Sequence, residues 1–326
     1  MNNFKNITVS TLAACVLCSI AFVSEATPAN SAEQLRKRID GLFRCQLHRG
    51  GGINTRPDNS LEACLWSWNN GLAPEIDARM TKDDVAIAFH DSTLARVATG
   101  ISPELAKTSI AKLTWAELRN IDTGSYLSPE YSSCRIATVE SVLAELIGRP
   151  NRMLYLDEKG APAKTLAESA GCLGVIDRVY LCSCSYDALK NWKNVAPEAK
   201  GMYWIGHIQP KEMTPENVAE VERKILKNLS AAEENDYYGV DQVQFHTYVN
   251  FNSAAPMSPS AKFLREQVAK LHAAGVTVQI FLMRGGQDKK AMRMAWDTGI
   301  DSFATDNPKE LLEFIEELKA EAAAKK

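Results

Sequence analysis

Two histidines flank a short acidic segment, and this spacing of residue types suits the hydrolysis of a phosphate ester. His48 lies before the segment that holds Glu75 and Asp77, and His90 lies after it. Side chains two apart in a strand share a face, so Glu75 and Asp77 direct two carboxylates at one point. Such oxygen ligands suit a hard divalent cation. Imidazole exchanges protons near neutrality, with an unperturbed pKa of about 6.5, so a histidine on each side supplies a base and an acid.

A purely structural interpretation of these residues remains open at the level of the sequence. A histidine at a strand end is often only a hydrogen-bonded structural residue. Glu75 and Asp77 could form ion pairs with Arg49 and Lys159 rather than bind a metal. That interpretation leaves unexplained why so many charged residues converge on one place.

The same residues resemble the glycerophosphodiester phosphodiesterase family. The matching segments follow the family's order and approximate spacing, and the resemblance covers nearly the whole chain after residue 26. They are HRG at 48–50, RPDNSLEA at 56–63, EIDARMTKD at 75–83, HDSTLAR at 90–96, LYLDEKG at 154–160, CSYD at 184–187 and GIDSFATDNP at 299–308. Each motif alone is weak, but the ordered set is specific.

The resemblance implies a role for each matching residue. It identifies His48 and His90 as the catalytic pair, and we assign His48 as the base and His90 as the acid. It identifies Glu75, Asp77 and Asp157 as the ligands of one divalent cation. Because these ligands are all oxygens, they suit Ca²⁺ or Mg²⁺, with Mn²⁺ as a further alternative.

The resemblance also implies that Arg49 and Lys159 contact the phosphate, since fixed cations neutralise the phosphoryl oxygens. The chain departs from the family at two acidic positions. Asp58 stands where the family usually has Glu, and the third metal carboxylate, also usually Glu, is Asp157 here. Asp157 is expected because it shares a strand face with Lys159, with Glu158 as the alternative.

Aromatic residues near the ends of later strands form the candidate pocket for the alcohol. Aromatic side chains in such positions also commonly serve only to pack the core, so this role is open. The candidates are Tyr186, Trp204, His246 and Phe281.

These residues require a scaffold that brings distant segments to one edge. Short β-like runs alternate with helical stretches, which indicates a parallel sheet with crossover helices. Eight strands are predicted, with a hairpin partner at 85–89 beside the second: 42–47, 75–79, 153–157, 179–183, 201–205, 241–246, 277–282 and 302–305. The expected fold is an α/β TIM-type (β/α)₈ barrel, with the site at the carboxyl ends of its strands.

The 326 residues carry a formal net charge of −3, with 45% hydrophobic and 24% charged residues. This composition indicates one large domain and gives no sign of nucleic-acid binding. Residues 1–26 resemble a secretory signal peptide, leaving 27–326 as the barrel and predicting a periplasmic or secreted protein without a stable membrane span. A lipoprotein anchor at Cys15 is the less favoured alternative.

Six of the eight cysteines lie after the leader, an even number in an exported chain. Disulfides and free thiols are both compatible with the sequence, because a domain of this size folds without covalent links.

Three functions are compatible with the sequence. The first is a metal-dependent phosphodiesterase that converts small glycerophosphodiesters to glycerol 3-phosphate and an alcohol. The second is a phospholipase D-like or sphingomyelinase D-like enzyme on intact lipids, which would need an exposed apolar loop such as 254–257. The third is a non-catalytic barrel that binds phosphate or a headgroup. The nucleophile, water or a substrate hydroxyl, is not fixed by the sequence.

Overall fold

Eight parallel strands close into a barrel in the computed structural model, which describes residues 32–283 and 287–324. The strands pair in the order β1, β2, β4, β5, β6, β7, β9, β10, and β10 returns to β1. Their bounds are β1 Gln46–Leu47, β2 Ala73–Met80, β4 Leu154–Glu158, β5 Val179–Ser183, β6 Lys200–Ile205, β7 Gln242–Val249, β9 Thr277–Leu282 and β10 Ser302–Thr305. The predicted TIM-type barrel is confirmed. The signal peptide predicted over 1–26, with Cys15, lies outside the described residues.

Two short strands extend the barrel on its outside. β3 (Ala86–Ala88) runs antiparallel to the end of β2, which confirms the predicted hairpin. β8 (Met257–Ser258) runs antiparallel to the end of β7. Both prolong the carboxyl-terminal side of a barrel strand, where the predicted site residues lie.

Helices surround the barrel, and several begin at a side chain that accepts a backbone N–H of the first turn. Ser60, Ser185, Thr214, Ser260 and Asp288 cap helices in this way. The helices are α1 Ala32–Asp40, α2 Leu61–Asn69, α3 Pro103–Lys107, α4 Trp115–Leu118, α5 Val139–Ala144, α6 Ala163–Cys172, α7 Tyr186–Val195, α8 Pro215–Glu233, α9 Ala261–Ala273, α10 Lys289–Trp296 and α11 Pro308–Ala324.

The first strand is shorter than predicted. Residues Gly41–Arg44 form a 3₁₀ turn, in which the backbone N–H of Cys45 donates to the carbonyl of Leu42. Only Gln46–Leu47 pair with β10 and β2. The alternating pattern of apolar residues therefore continued into a turn whose own hydrogen bonds remove it from the sheet.

Three apolar cores support the site, and the smallest of them lies on β2, β4, β5 and β6. The largest lies between strands and helices and includes Leu156, Trp192 and Phe245. A smaller core, built around Ile87 and Leu94, fills the segment between β2 and α5. This inserted segment is thus a packed unit that carries His90 on a fixed backbone.

All six cysteines among the described residues are free thiols: Cys45, Cys64, Cys134, Cys172, Cys182 and Cys184. Four of them are buried. The structure therefore agrees with the free-thiol alternative. Within the described part of the chain, no helix combines the length and apolar character needed to cross a membrane.

Candidate active site

Neighbouring strands β2 and β4 bring three carboxylates together. Asp77 pairs in register with Asp157, and Glu75 lies two residues before Asp77 on the same face. One oxygen from each of these three residues lies within 4.8 Å of the others. Glu158, the alternative ligand, pairs beside Ala78 and is not part of the cluster.

Burial and mutual repulsion disfavour the charged forms of the carboxylate cluster. Glu75 and Asp77 are 2% and 1% exposed. The Lys159 ammonium lies 2.7 Å from Asp157 and 3.7 Å from Asp77. Burial and the charge of Asp77 raise the pKa of Glu75 to about 8, and burial also raises the pKa of Asp157. Three converging carboxylates with one ammonium fit a divalent cation, because its second charge would remove this repulsion.

The segment before α2 fixes one of these carboxylates. Asn59 has a left-handed backbone with a φ of 57°. Its side-chain amide donates to an Asp77 carboxylate oxygen at 2.9 Å, and its carbonyl accepts the Asp77 backbone N–H at 2.8 Å. Ser60 then caps α2. The motif therefore orients a candidate metal ligand, a role that sequence reasoning missed.

His48 lies just past β1 and is held by a carboxylate from the opposite end of the chain. Its Nδ1 lies 2.8 Å from Asp306 Oδ1. Asp306 follows β10, which pairs with β1. Burial opposes protonation of His48, but the Asp306 hydrogen bond and the charges of Glu75, Asp306 and Asp77 outweigh it, so the pKa of His48 is raised.

His90 has an equivalent partner. Its Nδ1 lies 2.7 Å from Oδ1 of the neighbouring Asp91. Arg79 donates to the backbone carbonyls of His90 and Lys159, which joins the segments after β3 and β4. Arg49, the other predicted phosphate contact, lines the same cavity and forms an ion pair with Asp58 at 2.9 Å. Of the ion pairs in the structural interpretation, Lys159 with Asp77 is therefore present, whereas the Arg49 guanidinium pairs with Asp58 and not with Glu75 or Asp77.

The site residues open into a cavity of about 870 Å³. Its lining includes His48, Arg49, Glu75, His90, Asp157 and Lys159. Trp204, His246 and Phe281 also line the cavity. Tyr186 does not: its side chain is 7% exposed and packs in the core between strands and helices. Tyr186 is the first residue of α7, so it turns away from the barrel mouth and its predicted pocket role is wrong.

His246 forms an uncharged wall of this cavity. Burial, with the charges of His207 and His48, lowers the pKa of His246 to about 3. Its Nε2 lies 3.0 Å from the Gln244 carbonyl oxygen, and its Nδ1 lies 3.1 Å from Nδ1 of His207. Since the Gln244 oxygen only accepts, His246 donates from Nε2 and accepts from His207 at Nδ1. His207 lines the same cavity.

The segment proposed for contact with intact lipids is only partly exposed. Met257 of the 254–257 segment is 2% exposed and lies in β8. Its backbone pairs with Val249 of β7. The apolar side chain on which that alternative depended therefore points into the protein.

Comparison with protein families gives one match to most of the chain. The description is "Glycerophosphoryl diester phosphodiesterase family", and the match covers residues 48–310. Glycerophosphodiester phosphodiesterase 1 of Bos taurus is 28% identical over 142 residues, which are 43% of this chain and 40% of that protein. Glycerophosphodiester phosphodiesterase of Caldanaerobacter subterraneus is 25% identical over 175 residues, or 51% of this chain and 69% of that protein. The chain thus spans less than half of the bovine relative's length.

Solved structures show the same fold. A glycerophosphoryl diester phosphodiesterase from Parabacteroides distasonis has a TM-score of 0.61 at 23% identity, covering 89% of this chain and 93% of that one. A phosphodiesterase from Oleispira antarctica, solved in complex with the product sn-glycerol-3-phosphate, has a TM-score of 0.59 at 20% identity. That match covers 86% of this chain and 99% of the other. At these identities the likeness concerns the fold.

Proposed function

The chain belongs to the glycerophosphoryl diester phosphodiesterase family, and we propose that it hydrolyses glycerophosphodiesters to glycerol 3-phosphate and an alcohol with the help of a divalent cation. One observation carries this proposal. Three carboxylates converge beside two histidines, each of which is bonded to its own carboxylate, and Glu75, Asp157 and both histidines line one cavity. The product bound to the Oleispira antarctica protein supports the same substrate class.

The histidines move the protons of this reaction. Nδ1 of His48 is engaged by Asp306 and Nδ1 of His90 by Asp91, so proton exchange with the substrate falls to Nε2 of each ring. We assign His48 as the base that accepts the proton of the nucleophile. His90 is the acid that gives a proton to the departing alkoxide. Neither proton is then released directly to solvent.

The cations and carboxylates hold the phosphate. Arg49 and Lys159 neutralise the phosphoryl oxygens as charge shifts towards them. Glu75, Asp77 and Asp157 would hold the divalent cation, which when bound supplies Lewis acidity at a phosphoryl oxygen. The all-oxygen set is compatible with Ca²⁺, Mg²⁺ and Mn²⁺. The nucleophile is water, or a glycerol hydroxyl that first gives a cyclic phosphate.

Hydrolysis of intact lipids is the second candidate. It receives less support than the small-substrate reaction, because Met257 in the segment suggested for membrane contact is buried. A non-catalytic phosphate-binding role receives less again, since it would have no use for two histidines that each carry an oriented Nδ1.

Export belongs to the proposal as well. Residues 1–26 combine a Lys5-bearing start, an apolar stretch and a small-residue end, the pattern of a cleaved leader. Expressed with its full sequence in a bacterial host, the protein should reach the periplasm or medium with a new N-terminus near residue 27. Intact-mass analysis of each fraction tests this. A full-length cytoplasmic product would contradict export, and an acylated Cys15 would indicate a lipoprotein.

The activity is tested by release of sn-glycerol 3-phosphate from glycerophosphocholine by residues 27–326. Product should form with Ca²⁺ or Mg²⁺ and stop with EDTA. His48→Ala should lower the rate by about 10²- to 10⁴-fold. His272→Ala is the matched control, because His272 is exposed and pairs with Asp301, which precedes β10 and accepts the backbone N–H of Val278 near the start of β9. This pair lies at the amino-terminal ends of the strands, opposite the candidate site. No product from folded, metal-loaded protein would count against the proposal.

A further inference from the structure

We propose that Asp91 and Arg96 are positioning residues for His90, and that Asp58 couples this pair to the phosphate-contacting Arg49. The inference rests on the proposed function. It concerns residues that hold the acid in place and do not themselves touch the reacting atoms.

A continuous chain of charged contacts links the two substrate-facing residues. From His90 Nδ1 it runs 2.7 Å to Asp91 Oδ1, and Asp91 Oδ2 accepts from Arg96 Nε at 2.6 Å. Arg96 Nη1 donates to Asp58 Oδ2 at 2.8 Å. The same Asp58 oxygen accepts from Arg49 Nη1 at 2.9 Å. Every contact is within hydrogen-bond distance, so displacement of one member disturbs the others.

Asp91 determines which ring nitrogen of His90 serves the substrate. A carboxylate oxygen only accepts, so Nδ1 of His90 carries a proton that it donates to Asp91. The protonated ring then presents its second N–H at Nε2. Burial opposes ionisation of Asp91, but hydrogen bonds from His90 and Arg96 hold its pKa below the ordinary value. Asp91 therefore remains a charged acceptor under the conditions of catalysis.

Arg96 is suited to join two carboxylates because its guanidinium offers donors in a fixed planar fork. Nε is used for Asp91 and Nη1 for Asp58. The backbone beside it is anchored, since Leu94 and Val97 are 0% and 3% exposed in the smaller core. Arg96 is itself 42% exposed. The backbone around Arg96 is thus held by the smaller core, while the exposed Arg96 side chain extends to the carboxylates beside the site.

Asp58 explains how His90 and Arg49 keep fixed positions relative to each other. Its side chain is 5% exposed and receives a guanidinium from each side, Arg49 and Arg96. A buried carboxylate between two cations is charge-compensated and fixed in direction. Asp58 replaces the usual Glu of the family motif, and its shorter side chain here meets both arginines with one oxygen.

The step served by this arrangement is cleavage of the bond between phosphorus and the leaving oxygen. The nucleophile's oxygen bonds to phosphorus and gives its proton to His48. The electron pair of the breaking bond leaves with the alcohol oxygen, and Nε2 of His90 transfers its proton to that oxygen. The alcohol departs, and the ring is left neutral. An ester whose leaving group is already stable as an anion has little need of this proton, which provides the test.

Two esters of glycerol 3-phosphate separate the positioning role from a general structural one. The choline ester has an alkoxide leaving group, and the p-nitrophenyl ester has a far better one. Arg96→Met should lower kcat on the choline ester about 10- to 100-fold more than kcat on the p-nitrophenyl ester. Asp91→Asn should give the same imbalance, and His90→Ala a larger one. Arg135→Met is the matched control, from an arginine of the same inserted segment that bonds only backbone carbonyls in the described structure.

The outcomes distinguish a failure of the positioning role from a failure of the proposed function. Equal losses on both esters, in Arg96→Met and in Asp91→Asn, would overturn the positioning role and leave the proposed function intact. A wild-type protein that is folded and metal-loaded but cleaves neither ester would overturn both. Melting curves for each variant exclude unfolding as the source of the loss.

Discussion

Asp306 is the residue that most directly controls His48. As the proposed base, His48 must be neutral to accept a proton, so kcat/KM should rise with pH through the raised pKa of His48. Asp306→Asn removes a charge that raises this pKa. We therefore expect the acidic limb of the pH profile to move to lower pH, while the plateau rate falls about 10- to 100-fold from lost orientation. A limb that stays in place would show that another group is the titrating base.

We expect Glu75 to lower the stability of the metal-free protein and to be needed for metal binding. Its pKa in the folded protein is about 8, above the ordinary value of 4.5. The unfolded chain therefore ionises first, so stability of the metal-free protein should fall as pH rises from about 4.5 to about 8. Below 4.5 both states are protonated and the effect disappears.

Glu75→Gln tests both effects of Glu75, on stability and on metal binding. At pH 8 without metal the variant should be more stable than wild type, by about 1–3 kcal/mol in urea unfolding, because a repelled buried charge is gone. Its stabilisation by Ca²⁺ should be largely lost. Glu158→Gln, a change outside the carboxylate cluster, should keep the Ca²⁺ effect. A Glu75→Gln protein that is less stable without metal and still binds Ca²⁺ would contradict the assignment.

For individual residues, the sequence predicted which side chains form the carboxylate cluster but not which residues orient the histidines. Glu75, Asp77 and Asp157 followed from strand period and the family resemblance. The partnership of His48 with Asp306 spans 258 positions, and it depends on β10 closing against β1. The motif around Asp306 was visible, but its direct contact with His48 could not be read from spacing.

The turn after β1 is the element on which the site's geometry most depends. Gly52 has a φ of +86°, and a Cβ there would lie 2.4 Å from the Asp306 carbonyl oxygen. Gly71 has a similar φ of +73°, yet a Cβ would meet no atom within 4 Å. Gly71→Ala should therefore cost only the backbone strain, about 1–2 kcal/mol.

Gly52→Ala should cost more and also impair catalysis. The clash pushes the turn away from the segment that orients His48, adding about 1–3 kcal/mol of overpacking to the strain. Urea unfolding and glycerol 3-phosphate release, measured on both variants, test this. Equal stability and equal rates in the two proteins would mean that the turn does not set the position of His48.

Strand bounds were predicted well wherever apolar runs end at a turn. Val179–Ser183, Thr277–Leu282 and Ser302–Thr305 match the predicted bounds. Residues 42–44 were predicted to belong to the first strand but form a 3₁₀ turn, because the apolar pattern cannot distinguish a strand from a buried 3₁₀ turn. Tyr186 was misplaced for a related reason: Ser185 caps α7 and turns the next side chain towards the core.

The whole molecule is stabilised by packing without covalent links among the described residues. Dithiothreitol should therefore leave the melting temperature of residues 27–326 unchanged. Alkylation of the unfolded, unreduced protein should label all six thiols, as counted by intact mass. Fewer than six labels, with a melting temperature that falls on reduction, would show that disulfides form in solution.

The barrel as a whole could be predicted from the alternation of strands and helices, because parallel strands joined by helices close in few ways. The inserted segment between β2 and α5 could not. Its small core brings Leu94, Ile110 and Leu118 into one cluster, which no local periodicity encodes. Through Arg96 this segment connects the fold to the proposed acid.

The central claim, metal-dependent hydrolysis of glycerophosphodiesters, is tested most directly by following glycerophosphocholine with ³¹P NMR. With Ca²⁺ or Mg²⁺ the diester resonance should give way to that of sn-glycerol 3-phosphate, either directly or through a transient cyclic phosphate. EDTA, His48→Ala and His90→Ala should each leave the diester in place. A diester resonance that persists with folded wild-type protein and bound metal, or conversion that continues without either histidine, would contradict the account.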